Sequence, residues 1–380
     1  MNFELSEEQT KLQKVIREFA SSEIAPHSLK WDEQSHFPVE VFKQMGELGL
    51  LGIPFPEEYG GIGLGTFEYA LAVEEIGKAC SGVGLSYAAA VSLGASPIYY
   101  FGTKKQKESY LIPMAQGQTL GAFGLTEPNA GSDAGSTRTT AKMNDDGYII
   151  NGEKCWITNA SHSNTIITTA SVGIDDRGKN KICAFIVDAA EKGVEVKSNY
   201  DKMGVRASNT CAITYDDVFV LEESILGEKE KGFQQFLYTL DGGRISIAAL
   251  SVGIAQAALE KTLQYAKTRK QFGKTISSFQ GVSFQIADMA TEIECARNLV
   301  YKAAWLKDQG KDFGKIAAMA KLYASEAATK ASLTAIQIHG GNGYMKEYGV
   351  EKLLRDAKLM EIGEGTSEIQ RVVISRLLGC

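Results

Sequence analysis

Apolar positions recur at helical spacing through the first third of the chain. Leu12, Val15, Ile16 and Phe19 follow Ser6-Glu7-Glu8-Gln9, a capping signature in which hydroxyl and amide satisfy each other's backbone N–H groups. Pro38 opens a second helix through Val41, Phe42, Met45 and Leu48. The Pro-Glu-Glu-Tyr-Gly-Gly segment at 56–61 is a loop, and helices resume near Phe67. Positions 83–101 are nearly all apolar or small, which predicts a helix buried on most sides.

Near residue 118 the pattern changes. To about residue 230 the chain consists of short runs rich in Thr, Ile, Val and Tyr between turn residues. Asp145-Asp146-Gly147 and Asn151-Gly152 are hairpin signals on either side of Tyr148-Ile149-Ile150. Further strands are expected at 165–171, 182–188, 193–197 and 210–220. Strands in succession without intervening helices predict a small antiparallel barrel or sandwich. After Gly232 the helical period returns over 233–268, 280–309 and 312–338, with shorter segments within 347–378, and predicts an antiparallel bundle. Three domains are therefore expected: an N-terminal all-α domain (1–117), a middle antiparallel β-barrel (118–230) and a C-terminal α-helical bundle (231–380).

Composition narrows the class. With 380 residues the chain can bury one or two large cores, and 44% hydrophobic with 23% charged residues is ordinary for a soluble globular protein. A net charge of -6 and no interleaving of aromatic with basic clusters remove the electrostatic case for nucleic acid. No apolar run approaches the length needed to cross a bilayer. The acidic start MNFELSEEQTKLQ resembles neither a signal nor a transit peptide, so the expected compartment is the bacterial cytoplasm, or the mitochondrial matrix for a processed form. Cys80, Cys155, Cys183, Cys211, Cys295 and Cys380 are scattered without a CxxC pair, which suggests neither zinc nor a disulfide framework. His27, His36, His162 and His339 show no HExxH spacing, so no metal site is expected.

Candidate chemistry concentrates in two glycine-rich stretches. The glycines at 60–65 and 340–343 do not fit a GxGxxG fingerprint, and Gly273-Lys274-Thr275 is not a P-loop because Thr268 stands where its first glycine belongs. The segment from Gly124 to Ser136 offers hydroxyls and backbone N–H groups that suit an anion such as a pyrophosphate; equally, it suits a plain connection. Trp156 and Thr158 share one candidate strand, where Trp156 serves either core packing or a site. Glu364 lies between Gly363 and Gly365, just before Ser367-Glu368-Ile369-Gln370, which reads as a capping box. Small neighbours would let a flat substrate reach its carboxylate, as a general base requires, although an ordinary turn with Glu364 in water fits the same residues.

GLTEPNAGSDAGS (124–136) and QIHGGNGYMKEYGVEKLLRD (337–356) resemble the two signature segments of the acyl-CoA dehydrogenase family. CWITNA (155–160), RKQFGK (269–274) and GEGTSEIQR (363–371) resemble its other blocks, and the likeness runs essentially from end to end. The helix–barrel–helix order agrees with that family's fold. The resemblance implies FAD bound between the β domain and the C-terminal bundle, usually in a homotetramer. Phe123, Leu125 and Thr126 match positions lining the flavin, Gly131 and Ser132 match the pyrophosphate loop, and Trp156 and Thr158 match the wall and hydroxyl beside flavin N5. Arg269, Gln271 and Phe272 match a segment that reaches a neighbouring subunit's FAD in relatives. Gln280, Gln337, Gly340, Gly341, Thr366 and Glu368 complete the implied FAD set. Ser132, Asp241, Arg244 and Gly365 match substrate-contacting positions.

Glu364 is the implied base, matching the short- and medium-chain type. Isovaleryl- and long-chain-type members take theirs from a position that is Gly243 here, and the related nitroalkane oxidases use an aspartate. The implied reaction is that of fatty-acid β-oxidation, acyl-CoA to trans-2-enoyl-CoA: Glu364 removes the α-proton, the β-hydride leaves to flavin N5, and electrons pass to an electron-transfer flavoprotein. Burial should raise the pKa of Glu364 while the following helix N-terminus lowers it, and desolvation is expected to win once substrate is bound. An oxidase or monooxygenase on the same fold, or a non-catalytic binding scaffold, are the alternatives.

Overall fold

The computed structural model describes residues 4–380. Its first part is helical: α1 (Glu7–Phe19), α2 (Ser28–Gln34), α3 (Val39–Glu47), α4 (Thr66–Ala79), α5 (Ser81–Ala89), α6 (Ser96–Phe101) and the short α7 (Lys104–Gln106) and α8 (Ile112–Ala115). Ser6 and Gln9 form the reciprocal cap at the start of α1. The start of α4 has no capping side chain of its own, since Gly65 precedes it. Asp308, 242 residues away in sequence from Thr66, accepts from the Thr66 and Phe67 N–H groups at 2.7 and 2.9 Å instead. The apolar 83–101 stretch is buried as expected, but a π-helical turn at Ala90–Ala95 divides it into α5 and α6.

Seven strands follow: β1 (Gly121–Gly124), β2 (Thr140–Asn144), β3 (Gly147–Thr158), β4 (Thr165–Ile174), β5 (Asn180–Asp188), β6 (Val194–Val196) and β7 (Thr210–Leu221). They form one curved sheet in the order β1-β4-β2-β3-β7-β6, with β5 on β4. Most pairs are antiparallel, while β1 and β2 meet β4 in parallel. Asp145-Asp146 turns the β2–β3 hairpin as read from sequence, with Asn144 opposite Gly147. Asn151-Gly152 makes no second hairpin. It is a bulge inside the continuous strand β3, where the register against β7 slips between Ile150 and Gly152. Glycine is required there, since a Cβ at 152 would lie 2.4 Å from Thr139 Oγ1.

The last part holds α9 (Gly232–Thr268), a small ribbon β8 (Lys270–Gln271) and β9 (Lys274–Thr275), α10 (Gln280–Asp308), α11 (Gly314–His339), α12 (Val350–Met360) and α13 (Ser367–Leu378). By length and composition α9 contains an apolar window long enough to cross a membrane, and 94% of that window is buried inside the protein. It is the core helix, packed against α4, α10 and α11. N- and C-terminal helices thus share one apolar core, whereas the sheet encloses its own around Ile150, Ile166, Phe185 and Ile213.

Candidate active site

The turn between α12 and α13 carries the base candidate. Glu364 adopts φ 54° and Gly365 φ 95°, so a non-glycine residue sits in the left-handed region, where strain marks functional positions. Two side chains brace the turn. Lys321 of α11 donates to the Gly365 carbonyl at 2.7 Å, and Gln370 of α13 donates to the Glu364 and Gly365 carbonyls at 3.3 and 2.9 Å. The expected capping box does not form, and a single side-chain cap one residue earlier takes its place. Thr366 is the N-cap, accepting from Ile369 N–H at 3.3 Å, while the Ser367 hydroxyl is buried without a partner and Gln370 points inward. Capping geometry needs an extended residue before the helix, and Thr366, at ψ 165°, has that conformation.

Glu364 Oε2 is shut off from solvent and has no hydrogen-bond partner. Burial pushes the carboxyl up to about 7, opposed by Lys321 and Arg244. Desolvation therefore outweighs the two cations at this carboxyl. Gly243 of α9 faces the same oxygen, and a Cβ there would lie 2.1 Å from Oε2. One turn of α9 presents Asp241 and Arg244, which are ion-paired with each other, and Arg244 Nε is buried without a partner. A small cavity lined by Tyr69, Ser92, Tyr100, Thr239 and Gly242 lies along this part of α9.

The residues read from sequence fall into three groups. The first gathers on the sheet. Phe123 stacks on Phe236 of α9 at 4.1 Å, Leu125 is buried, and the Thr126 carbonyl accepts from Cys155 N–H at 2.9 Å. Gly131 and Ser132 are exposed in the following loop, and Thr158 ends β3 opposite Thr210. Trp156 is 63% exposed at φ 57°, not packed into a core. The second group is exposed at the far end of the bundle: Arg269, Gln271 and Phe272 by the β8–β9 ribbon, Gln280 at the start of α10, and Gln337, Gly340 and Gly341 at the end of α11. Tyr265 joins these two ends by stacking on His339 at 4.2 Å. The third is the Glu364–Gly365–Thr366–Glu368 turn with Asp241 and Arg244. Among the described residues no hydrogen bond, ion pair or ring contact joins the second group to the first.

The first group suits FAD on physical grounds. A tryptophan held in the left-handed region and turned outward has no packing reason within the chain, and its face suits a planar ring. Gly131 and Gly341 have neither a left-handed φ nor any atom within 4 Å of a would-be Cβ, so backbone there is open to close approach by a ligand. His339 and Cys155 are packing residues: the His339 ring bonds the Ala335 carbonyl at 2.7 Å, and burial pushes the Cys155 thiol up to about 11.

Sequence reasoning passed over Lys321 and the buried pair Glu127–Lys154, and read Gln370 as part of a capping box rather than as a brace for the turn. Lys321 had a signal, a lone lysine on the alanine face formed by Ala317, Ala320, Ala324 and Ala328. Glu127 lies inside the glycine loop that had been read, where it bonds Lys154 Nζ at 2.7 Å and the Arg138 and Thr139 N–H groups at 2.6 and 3.1 Å.

Three family models match most of the chain. Residues 6–118, 122–218 and 230–379 match the N-terminal, middle and C-terminal domains of acyl-CoA dehydrogenase. The chain is 65% identical over 378 residues to the probable acyl-CoA dehydrogenase YngJ of Bacillus subtilis (strain 168), with 100% of each chain covered. It superimposes with a TM-score of 0.97 on butyryl-CoA dehydrogenase from Megasphaera elsdenii, at 43% identity and covering 100% of both chains. The same TM-score, 0.97, relates it at 45% identity to a chain from structural work on the electron transferring flavoprotein of Acidaminococcus fermentans, covering 100% of this chain and 99% of that one. The chain belongs to the acyl-CoA dehydrogenase family and is an FAD-dependent oxidoreductase.

Proposed function

We propose that the protein dehydrogenates short-chain acyl-CoA thioesters to trans-2-enoyl-CoA, with Glu364 as the base, and passes the electrons to an electron-transfer flavoprotein. The observation that carries this reading is the state of Glu364: a half-buried residue whose Oε2 is shut off from solvent and unpartnered, with the carboxyl raised to about 7. A carboxylate without partners keeps its lone pairs for a substrate proton, and a pKa near neutrality is matched to general-base work. In the same turn the Glu364 backbone N–H donates to no group among the described residues, so it is available to the thioester oxygen, where negative charge develops as the α-proton leaves. Arg244 and Asp241 flank the substrate on α9, with Gly365 beside it, and the likeness to butyryl-CoA dehydrogenase favours a short acyl group. FAD bound against Phe123, Leu125, Thr126, Trp156 and Thr158 supplies the acceptor for the hydride from the β-carbon. Gly131 and Ser132 hold its pyrophosphate, Ser132 also meeting the CoA arm, and Thr366 and Glu368 complete the set on this side.

Arg269, Gln271, Phe272, Gln280, Gln337, Gly340 and Gly341 serve the FAD of a neighbouring copy in a homotetramer. Phe272, 91% exposed, and Phe284, 61% exposed, are large apolar surfaces that such an assembly covers. Domain boundaries at 117/118 and 230/231 and a cytoplasmic location complete the reading. The test is the visible spectrum during anaerobic titration with butyryl-CoA. The flavin band of the wild type bleaches and that of Glu364→Gln does not; equal bleaching removes Glu364 from its role, and a yellow wild type that no acyl-CoA bleaches rejects the dehydrogenase reading.

A further inference from the structure

Lys321 is fully buried on an alanine-rich face of α11, and its ammonium forms no ion pair among the described residues. Its one bond is to the Gly365 carbonyl, at 2.7 Å. Burying an ammonium without a counter-ion costs several kcal/mol, on the order expected for any unpaired internal charge. The turn does not need it as a donor alone, because neutral Gln370 already serves the same carbonyl at 2.9 Å. What Lys321 adds is charge, one residue from the base. Burial lowers its pKa to about 8, so it is cationic through the pH range in which Glu364 ionises and loses its charge above that.

The groups around Glu364 divide accordingly. From α9 come Arg244 and Asp241, which neutralise each other, and Lys307 of α10 reaches the same part of α9 at Gly242. From α4 comes Tyr69, which burial keeps protonated. On its own segment Glu361 is tied to Lys358 and Thr329, and Glu368 is exposed. The two cations that oppose the burial of Glu364 are Lys321 and Arg244, and only Lys321 lacks an anionic partner.

We propose that Lys321 is a positioning residue for the base: its buried ammonium fixes the left-handed turn that aims Glu364 and supplies the unpaired positive charge against which that carboxylate ionises. The inference rests on Glu364 being the base. The lysine sits behind the turn, bonded to a carbonyl rather than to the carboxylate, so it stabilises the charged form without occupying the oxygen that takes the proton.

The experiment follows kcat/KM for butyryl-CoA from about pH 5 to about pH 9 in the wild type, Lys321→Gln, Lys321→Met and Lys321→Arg. Infrared difference spectra against Glu364→Gln report protonation of the carboxyl without turnover. In both neutral variants the acid limb and the carboxyl band move up by about one pH unit, a roughly tenfold loss of kcat/KM below the limb, and Lys321→Arg restores both. A limb and band unchanged in a folded, yellow Lys321→Gln protein overturn the proposal. So does failure of both neutral variants to fold while Lys321→Arg folds, since the lysine would then serve the fold alone. An active Glu364→Gln protein instead rejects the underlying assignment of the base, which separates the two failures.

Discussion

Two glutamates with carboxylate oxygens shut off from solvent, each near a buried lysine, meet opposite fates in this molecule. Under the glycine loop of the sheet, Glu127 bonds Lys154 directly at 2.7 Å and takes further bonds from Thr137 and from the Arg138 N–H. Burial alone would raise its pKa, but these partners outweigh burial and hold it at about 2. In the α12–α13 turn, Lys321 spends its bond on a carbonyl and Glu364 Oε2 is left without a partner, so burial dominates and the carboxyl rises to about 7. One pair is a rivet under the loop and the other leaves a carboxylate oxygen without a partner. The lesson is that direct hydrogen bonds to the carboxylate separate a locked group from one free to take a proton. Glu127 receives them from Lys154, Thr137 and two backbone N–H groups, and Glu364 from none of the described groups.

The largest effect should come from removing the proposed base: Glu364→Gln is expected to lower kcat about a thousandfold with FAD retained, measured by steady-state dehydrogenation of butyryl-CoA. Breaking the rivet should act on stability instead. Lys154→Met leaves Glu127 buried and unpaired, and unfolding in urea should show a loss of about 3–5 kcal/mol. The double variant Glu127→Leu/Lys154→Met should lose much less than the two single changes together; additive losses would mean that the pair does not act as a unit.

The two carboxyls also predict opposite pH slopes. Glu364 has its folded-state pKa raised from 4.5 to about 7, so its contribution to stability is fully present below 4.5 and disappears as pH rises through 7. At pH above about 7, Glu364→Gln should therefore unfold later than the wild type, by up to about 3 kcal/mol, and the advantage should vanish in acid. Glu127 has its pKa lowered, so its stabilisation is present above 4.5 and declines as pH falls toward 2. The smallest effect is expected at Gly243→Ala, where the new Cβ would lie 2.1 Å from Glu364 Oε2 and must displace it. A fall in kcat of about tenfold to a hundredfold with KM nearly unchanged is the expected signature, and an unaffected kcat would show that the carboxylate has room to move.

Much of the architecture was legible in advance because it is written in local patterns. The long apolar helices, the change of period near residue 118 and the Ser6–Gln9 cap all depend on residues within a few positions of one another. Local patterns also misled. Asn151-Gly152 has hairpin chemistry, yet β3 runs through it because β7 supplies partners on both sides of the bulge. Ser367 has capping chemistry, yet Thr366 holds the extended conformation a cap needs. Glu364 was singled out by its glycine neighbours and by resemblance, but nothing in its own segment distinguishes a buried carboxylate from one in water.

The sequence by itself determined which segments are helix and strand, where their order changes, and which glutamate stands between two glycines. It did so because periodicity, capping and backbone freedom act over one or two turns of chain. Only the tertiary structure decided that Gly243 faces Glu364, that Lys321 reaches Gly365 rather than the carboxylate, and that Asp308 caps α4 from α10. Those contacts join residues far apart in sequence, and the proton affinity they set depends on burial and distance, which arise only when the chain closes on itself.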